Sequence, residues 1–171
     1  MDTNPPWMDE LAHVRVGPAD FDLSDEVARL RADDRGVGAV VAFVGTVREW
    51  QAARGASASE LGFELEHYPG MTERSIATIL AQARQRFDVL AMRVIHRVGP
   101  LAVGDQIVLV AVTSAHRQSA FACAEFLLDW LKADAPFWKK ESVGRQGHWV
   151  EARDSDQQAA SRWQAGQGGA A

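Results

Sequence analysis

The chain has 171 residues, of which 47% are hydrophobic, so it is long enough to bury one sizeable core without metal or disulfide staples. Its single cysteine, Cys123, excludes an internal disulfide and a multi-cysteine metal site. The net charge of −5 argues against nonspecific nucleic-acid binding. Met1 to Glu10 has no leader-like pattern, and no stretch approaches eighteen apolar residues, so we expect a cytoplasmic protein without membrane segments.

The first third of the chain predicts a helix, a strand and a long loop. Ser24, followed by two acids, is expected to cap a helix that ends near Asp34. After a glycine break, the apolar, β-branched run Ala39–Val44 predicts a buried strand that ends near Gly45. The aperiodic segment Glu49–Glu60 predicts a mobile loop close to a strand end, where loops often serve a site.

The remainder predicts strands interrupted by two long helices. Leu61–His67 alternates between apolar and polar residues, as a half-buried strand does. A helix should follow Thr72, and Ser114 should cap a second one ending near Ala133. Four more strands are predicted, the first two as a hairpin-like pair: Val89–Val98, Gln106–Val112, Phe137–Ser142 and His148–Glu151. This order favours an α+β fold with a mainly antiparallel sheet and two substantial packed helices.

The segment Thr113–Arg117 is the first candidate for chemistry. It ends a strong strand and opens a helix, where unpaired amides favour anions. Positive side chains at His116 and Arg117 oppose the helix dipole, and binding a phosphate or carboxylate would explain their placement. The alternative is that both simply face solvent or a neighbouring acid.

A second candidate group consists of basic residues elsewhere in the chain. The stem of Lys132 should run along an apolar stripe, which could prepare the amine for proton transfer; alternatively it is a helix dipole partner. Lys139 and Lys140 are weaker candidates of the same kind. Arg48, just past a strand, could bind a phosphate bidentately or form a surface salt bridge. Cys123 is interpreted as a small core residue.

Six ordered sequence blocks together resemble the large, catalytic subunit of molybdopterin synthase. The resemblance runs from about Gly38 to Trp163. The blocks are Gly38-Ala-Val-Val-Ala-Phe-Val-Gly-Thr-Val-Arg48, Leu65-Glu-His-Tyr-Pro-Gly-Met71, Val94-Ile-His-Arg-Val-Gly99, Val112-Thr-Ser-Ala-His-Arg117, Ala135-Pro-Phe-Trp-Lys-Lys-Glu141 and Trp149-Val-Glu-Ala-Arg-Asp-Ser-Asp156.

The resemblance implies a sulfurtransferase with a hammerhead-like α+β fold, a single domain over 1–163 and a flexible Gly/Ala-rich tail over 164–171. It implies a homodimer within a heterotetramer, whose partner is a small ubiquitin-like sulfur carrier with a C-terminal Gly-Gly thiocarboxylate. The implied substrate is cyclic pyranopterin monophosphate, with no metal or other cofactor. The implied basic pocket contains six residues, the last contributed by the dimer partner: Arg48, His116, Arg117, Lys132, Lys139 and Arg153.

Within this resemblance, our hypothesis is that Arg48, His116 and Arg117 hold the substrate phosphate. Lys132 and Lys139 then orient the thiocarboxylate and assist proton transfer. A non-catalytic dimeric scaffold that binds a carrier protein or a phosphorylated ligand is the alternative from another class. A hydrolase with His116 as its base is a further alternative, although the sequence lacks an evident nucleophile or metal set.

Overall fold

The computed structural model describes residues 5–32, 34–49, 55–57, 61–150 and 154–163. Most of the predicted loop 49–60, Arg153 and the predicted tail 164–171 therefore lie outside the described residues. No helix within the described ranges is long and apolar enough to cross a membrane.

The described elements form an α+β structure with two long helices, as predicted. A single 3-10 turn, Leu11–His13, follows the first helix. The helices are α1 (Trp7–Glu10), α2 (Leu23–Arg31), α3 (Met71–Arg86), α4 (Arg117–Ala133) and α5 (Asp154–Ser161). The strands are β1 (Val14–Gly17), β2 (Ala39–Thr46), β3 (Leu61–His67), β4 (Ala91–Arg97), β5 (Gly99–Leu101), β6 (Gln106–Ser114), β7 (Phe137–Val143) and β8 (Gln146–Val150).

The strands form two sheets of four. The first has the order β1-β4-β6-β2 and is antiparallel except for the β1–β4 pair. The second has the order β5-β3-β7-β8 and is antiparallel throughout. The prediction of a mainly antiparallel architecture is confirmed, and β4 and β6 pair as the hairpin-like pattern indicated. Between them, however, β5 crosses to the second sheet, because Gly99 has a positive φ that redirects the chain.

The main core lies between the first sheet and the two long helices. Alternate residues of β4 and β6 point into it, and they meet apolar residues of α3 and α4 at their helical spacing. Cys123 belongs to this core and is fully buried, as predicted. A smaller cluster joins the two sheets and consists of Val47, Phe63, Leu65, Val98 and Leu101. This second cluster fixes the end of β2 against the second sheet.

Two predicted helix caps are wrong by a few residues. Helix α2 begins at Leu23 and is capped by Asp22, whose carboxylate accepts a hydrogen bond from the Asp25 amide at 2.9 Å; Ser24 lies inside the helix. The last long helix begins at Arg117 with His116 in the N-cap position. Both errors have the same cause. Several polar residues near the start of each helix could act as its N-cap, and the one that does is the residue whose backbone is extended just before the helix.

The Asp22 cap provides a test of this helix boundary. Replacing Asp22 with alanine should lower the free energy of unfolding by about 1 kcal/mol, because the first-turn amide loses its acceptor. Asp22→Asn keeps an acceptor and should stay close to the parent protein in urea unfolding. No loss of stability in the Asp22→Ala protein would mean that the cap contributes nothing, and equal losses in both variants would mean that the hydrogen-bond acceptor is not the cause.

Candidate functional site

His116 and Arg117 lie where β6 passes into α4. His116 is extended, with φ −128° and ψ 134°, and α4 has no acidic residue in its first turn. Ser114, which is fully buried, accepts a hydrogen bond from the His116 amide at 3.1 Å and donates one to the Asp88 carbonyl at 2.7 Å. Both basic side chains are exposed. The fold therefore presents two basic groups beside unpaired helix amides, an arrangement that suits an anion.

Arg48 lies at the opposite end of the same pair of strands. In the β2–β6 register, Ala39 pairs with Ser114 and Thr46 pairs with Gln106. Arg48 comes two residues after Thr46, whereas His116 comes two residues after Ser114, and the strands are antiparallel. Eight strand residues span about 25 Å. Within one chain, Arg48 and His116 are therefore too far apart to hold the same phosphate.

Lys132 lies at the Arg48 end of the molecule. Helix α4 packs on β6 and β2, and its seventeen residues span about 25 Å, so it runs back along the sheet from His116. The residues after α4 confirm this direction, because the Phe137 ring stacks on His96, which pairs with Val108 near the start of β6. Lys132 is exposed and comes one residue before the end of the helix.

Lys139 approaches the same end from the second sheet. It lies on β7 opposite Leu65, and its Nζ is 5.7 Å from the centre of the Phe63 ring. Phe63 belongs to the same apolar cluster as Val47, the neighbour of Arg48. Arg48, Lys132 and Lys139 thus share one end of the molecule, and His116 and Arg117 lie at the other.

Glu141 is a residue of the candidate site that the sequence analysis missed. Its carboxylate is largely buried, and one oxygen lies 2.8 Å from Lys139 Nζ; the other lies 3.9 Å from Nε2 of His148. This ion pair fixes the position of the Lys139 ammonium group. The sequence did contain a signal for this pair, because Lys139 and Glu141 are two residues apart on a predicted strand, and such residues face the same side.

Lys140 points to the other face of the second sheet. Its Nζ lies 5.6 Å from the centre of the Trp149 ring, and Trp149 is its cross-strand partner. The structure therefore separates Lys139 from Lys140, which the sequence alone left as similar candidates. A side chain on this face does not share the environment of Lys139.

Four of the basic side chains at the two ends have no acidic partner among the described residues; Lys139, which pairs with Glu141, is the exception. Among the described residues, no carboxylate forms a salt bridge with Arg48, His116, Arg117 or Lys132. All four side chains are exposed. In a protein with net charge −5, these uncompensated basic groups can attract an anion locally.

The described residues offer no cluster of three or more histidine, cysteine or acidic side chains that could hold a metal ion. Burial raises the pKa of the Cys123 thiol to about 12, so this thiol is protonated at neutral pH and is not a nucleophile. Sulfur chemistry at the described site would therefore need sulfur from another molecule.

Burial of His96 makes the stability of this end of the fold pH-dependent. Desolvation lowers the pKa of His96 from 6.5 to about 4, and the Arg97 carbonyl opposes this only in part. Since the unfolded chain binds this proton more tightly, the stabilisation is present above pH 6.5 and is lost as the pH falls toward 4. Because of this group, the free energy of unfolding of the parent protein should fall by about 2 kcal/mol between pH 7 and pH 4.5.

The corresponding experiment compares His96→Gln with the parent protein by urea unfolding at both pH values. The substituted protein should lose about 2 kcal/mol less on acidification. An identical pH dependence in the two proteins would show that His96 does not titrate in this range.

Comparison with known proteins decides the family. The family model described as MoaE protein matches residues 16–134, which is more than half of the chain. The chain belongs to the MoaE protein family. A molybdopterin synthase catalytic subunit from Ralstonia nicotianae is 53% identical to this MoaE family member over 150 residues, covering 88% of this chain and 83% of the relative.

Solved structures support the same fold. Molybdopterin cofactor biosynthesis protein E from Burkholderia multivorans matches with a TM-score of 0.73 and 49% identity, over 88% of this chain and 95% of that one. A protein–protein complex of subunits 1 and 2 of the Helicobacter pylori molybdopterin-converting factor matches with a TM-score of 0.66 over 82% and 91% of the two chains. Because the two sequences are only 18% identical, this structural similarity shows a shared fold alone. The MoaE match includes Arg48, His116, Arg117 and Lys132, whereas Lys139 lies beyond it.

Proposed function

We propose that this chain is the catalytic subunit of molybdopterin synthase and transfers sulfur from a carrier protein to cyclic pyranopterin monophosphate. The carrier is a small ubiquitin-like protein that ends in a Gly-Gly thiocarboxylate. The observation that carries the proposal is the set of exposed basic groups, Arg48, His116, Arg117 and Lys132, which have no acidic partner among the described residues and lie within the range matched by the family. The single-domain organisation over 1–163 and the cytoplasmic location expected from the sequence belong to the same proposal.

The separation of the basic groups implies that each site is built from two copies of the chain. Arg48, Lys132 and Lys139 of one copy form one side, and His116 and Arg117 of a second copy form the other. Arg153 of that second copy is proposed to add a further positive charge.

Strand β2 supports this arrangement. Among the described strands it pairs with β6 alone, so its other edge is open, and Phe43 on it is 39% exposed. Two such edges that pair in antiparallel fashion around a twofold axis bring Arg48 of one copy beside His116 of the other. An apolar edge strand that pairs with its own copy also ceases to be an aggregation hazard.

The charges of the two reactants explain why the proposed site is rich in basic side chains. The substrate phosphate and the carrier's thiocarboxylate are both anions, so a cluster of cations lowers the cost of bringing them together. Lys132 is exposed and has no acidic partner in the part of the chain that the structure describes, which leaves its amine available for proton transfer. Lys139, held by Glu141, orients the thiocarboxylate. Each sulfur replaces an oxygen substituent of the pterin side chain, so a C–S bond forms there as a C–O bond breaks and the oxygen group leaves. On the carrier, water cleaves the acyl C–S bond, and the terminus is released as a carboxylate.

The test is a reconstitution from purified components. The protein, the thiocarboxylated carrier and cyclic pyranopterin monophosphate are mixed, and the dithiolene product is detected chemically. Product should form when all three are present and be absent when any one is omitted. A folded protein that binds the carrier without forming product would instead support the non-catalytic scaffold.

A further inference from the structure

The short segment 134–137 joins the two lysines of the proposed site. It begins one residue after the end of α4 and ends at the first residue of β7. Its first turn is closed by the Trp130 carbonyl, which accepts hydrogen bonds from the amides of Asp134 at 2.9 Å and Ala135 at 3.3 Å. The path of this segment therefore sets how far apart the backbones of Lys132 and Lys139 lie.

Thr72 holds the segment from one side. Its side chain is fully buried near the start of α3, and its hydroxyl makes two hydrogen bonds. The hydroxyl accepts from the Tyr68 amide at 3.0 Å and donates to the Pro136 carbonyl at 3.2 Å. One oxygen atom thus ties the turn before α3 to the middle of the segment.

His96 holds the segment from the sheet side. Its ring stacks on the Phe137 ring with centroids 3.7 Å apart and an interplanar angle of 17°. Nδ1 donates to the Arg97 carbonyl at 2.9 Å, because a carbonyl can only accept, and this bond fixes the orientation of the ring. Phe137 also packs against both apolar clusters, so the stack links the segment to the rigid part of the fold.

We propose that Thr72 and His96 are positioning residues that set the spacing of Lys132 and Lys139 for sulfur transfer. Neither residue has a hydrogen bond or ring contact with the described lysines; Thr72 acts through the Pro136 carbonyl and His96 through the Phe137 ring. Lysine side chains are long and flexible, so the fold controls their amines mainly by placing their backbones. Displacements near 1 Å at a reacting group can lower a rate about a hundredfold, which gives such a clamp a large effect. This inference rests on the proposed function.

The first experiment compares three variants in steady-state turnover. Thr72→Val removes the hydroxyl at nearly constant volume and should lower kcat about tenfold or more, with KM for the pterin changed by less than about twofold. Thr72→Ser keeps the hydroxyl and should recover most of kcat. Thr78→Val is the matched control on the same helix, because its exposed hydroxyl bonds only to the Arg74 carbonyl among the described residues; its kinetics should not change.

The second experiment measures the spacing without turnover. Lys132→Cys and Lys139→Cys are combined and labelled with nitroxides, since the buried Cys123 should stay unlabelled, and the inter-label distance is measured by electron paramagnetic resonance. Thr72→Val should shift or broaden the distance distribution, whereas Thr72→Ser and Thr78→Val should not. If Thr72→Val does not fold, Phe137→Leu, which removes the stack, carries the same expectations.

Several results of these two experiments would overturn the inference that Thr72 and His96 set the spacing of the lysines. An unchanged distance distribution in a folded Thr72→Val or Phe137→Leu protein overturns the inference, as does an unchanged kcat. A Thr72→Ser protein as impaired as Thr72→Val also overturns it, because the hydroxyl would then not be responsible. If the parent protein forms no product, the proposed function fails, while the distance measurement still decides whether the clamp sets the spacing.

Discussion

Replacing Lys132 with alanine should lower kcat by at least about a hundredfold while the protein stays folded and still binds its carrier. The side chain is exposed and makes no salt bridge with a described residue, so its removal costs the fold little. Its amine lies at the end of α4 where Arg48 and Lys139 also lie, and it is the group we propose for proton transfer. The measurement is steady-state turnover, with unfolding curves and carrier affinity determined on the same preparation.

Lys140→Ala is the matched control for this experiment. It removes another lysine from the same part of the chain, but one that points to the opposite face of the second sheet, over Trp149. Turnover should stay close to that of the parent protein. Near-normal turnover of the Lys132→Ala protein, or an equal loss in both variants, would contradict the assignment.

Mixing two inactive variants should restore activity if each site is shared between two copies. Arg48→Ala impairs one side of the site, and the double substitution His116→Ala with Arg117→Ala impairs the other. A mixed dimer contains one intact site, so random exchange of subunits should restore about a quarter of the parent activity. Subunit exchange is verified with a mass difference between the two chains.

A second mixture tests the geometry itself. Arg48 and Lys132 lie at the same end of one chain, so a mixed dimer of Arg48→Ala and Lys132→Ala has a defect in both of its sites. This mixture should remain inactive. Recovery in the second mixture, or none in the first despite verified mixed dimers, would show that the basic groups do not combine across copies.

The parts of the fold that could be predicted are those with a long, regular pattern. Strand β3 was predicted to the residue because Leu61–His67 alternates between apolar and polar positions. Helices α3 and α4 carry an apolar stripe over four or more turns, so both were predicted, and the end of α4 near Ala133 was predicted closely. Short elements were missed, including β1 with four residues and β5 with three, since so few residues establish no period.

The candidate site residues were proposed by resemblance, but their arrangement could not be predicted from the sequence. Arg48 and His116 each follow a strand, and nothing in either local pattern says that the two strands pair antiparallel and place them at opposite ends. The contacts of Thr72 and His96 with the segment 134–137 also depend on tertiary packing. These contacts join residues that are far apart in the sequence, and no local pattern predicts them.

Tracing the sulfur tests the central claim most directly. The carrier is prepared with a heavy-sulfur thiocarboxylate and incubated with this protein and cyclic pyranopterin monophosphate, and both the product and the carrier terminus are analysed by mass spectrometry. We expect a dithiolene with two heavy sulfur atoms and two carriers converted to the carboxylate for each product molecule. Unlabelled sulfur in the product, or carrier consumed without any product, would contradict sulfur transfer by this chain.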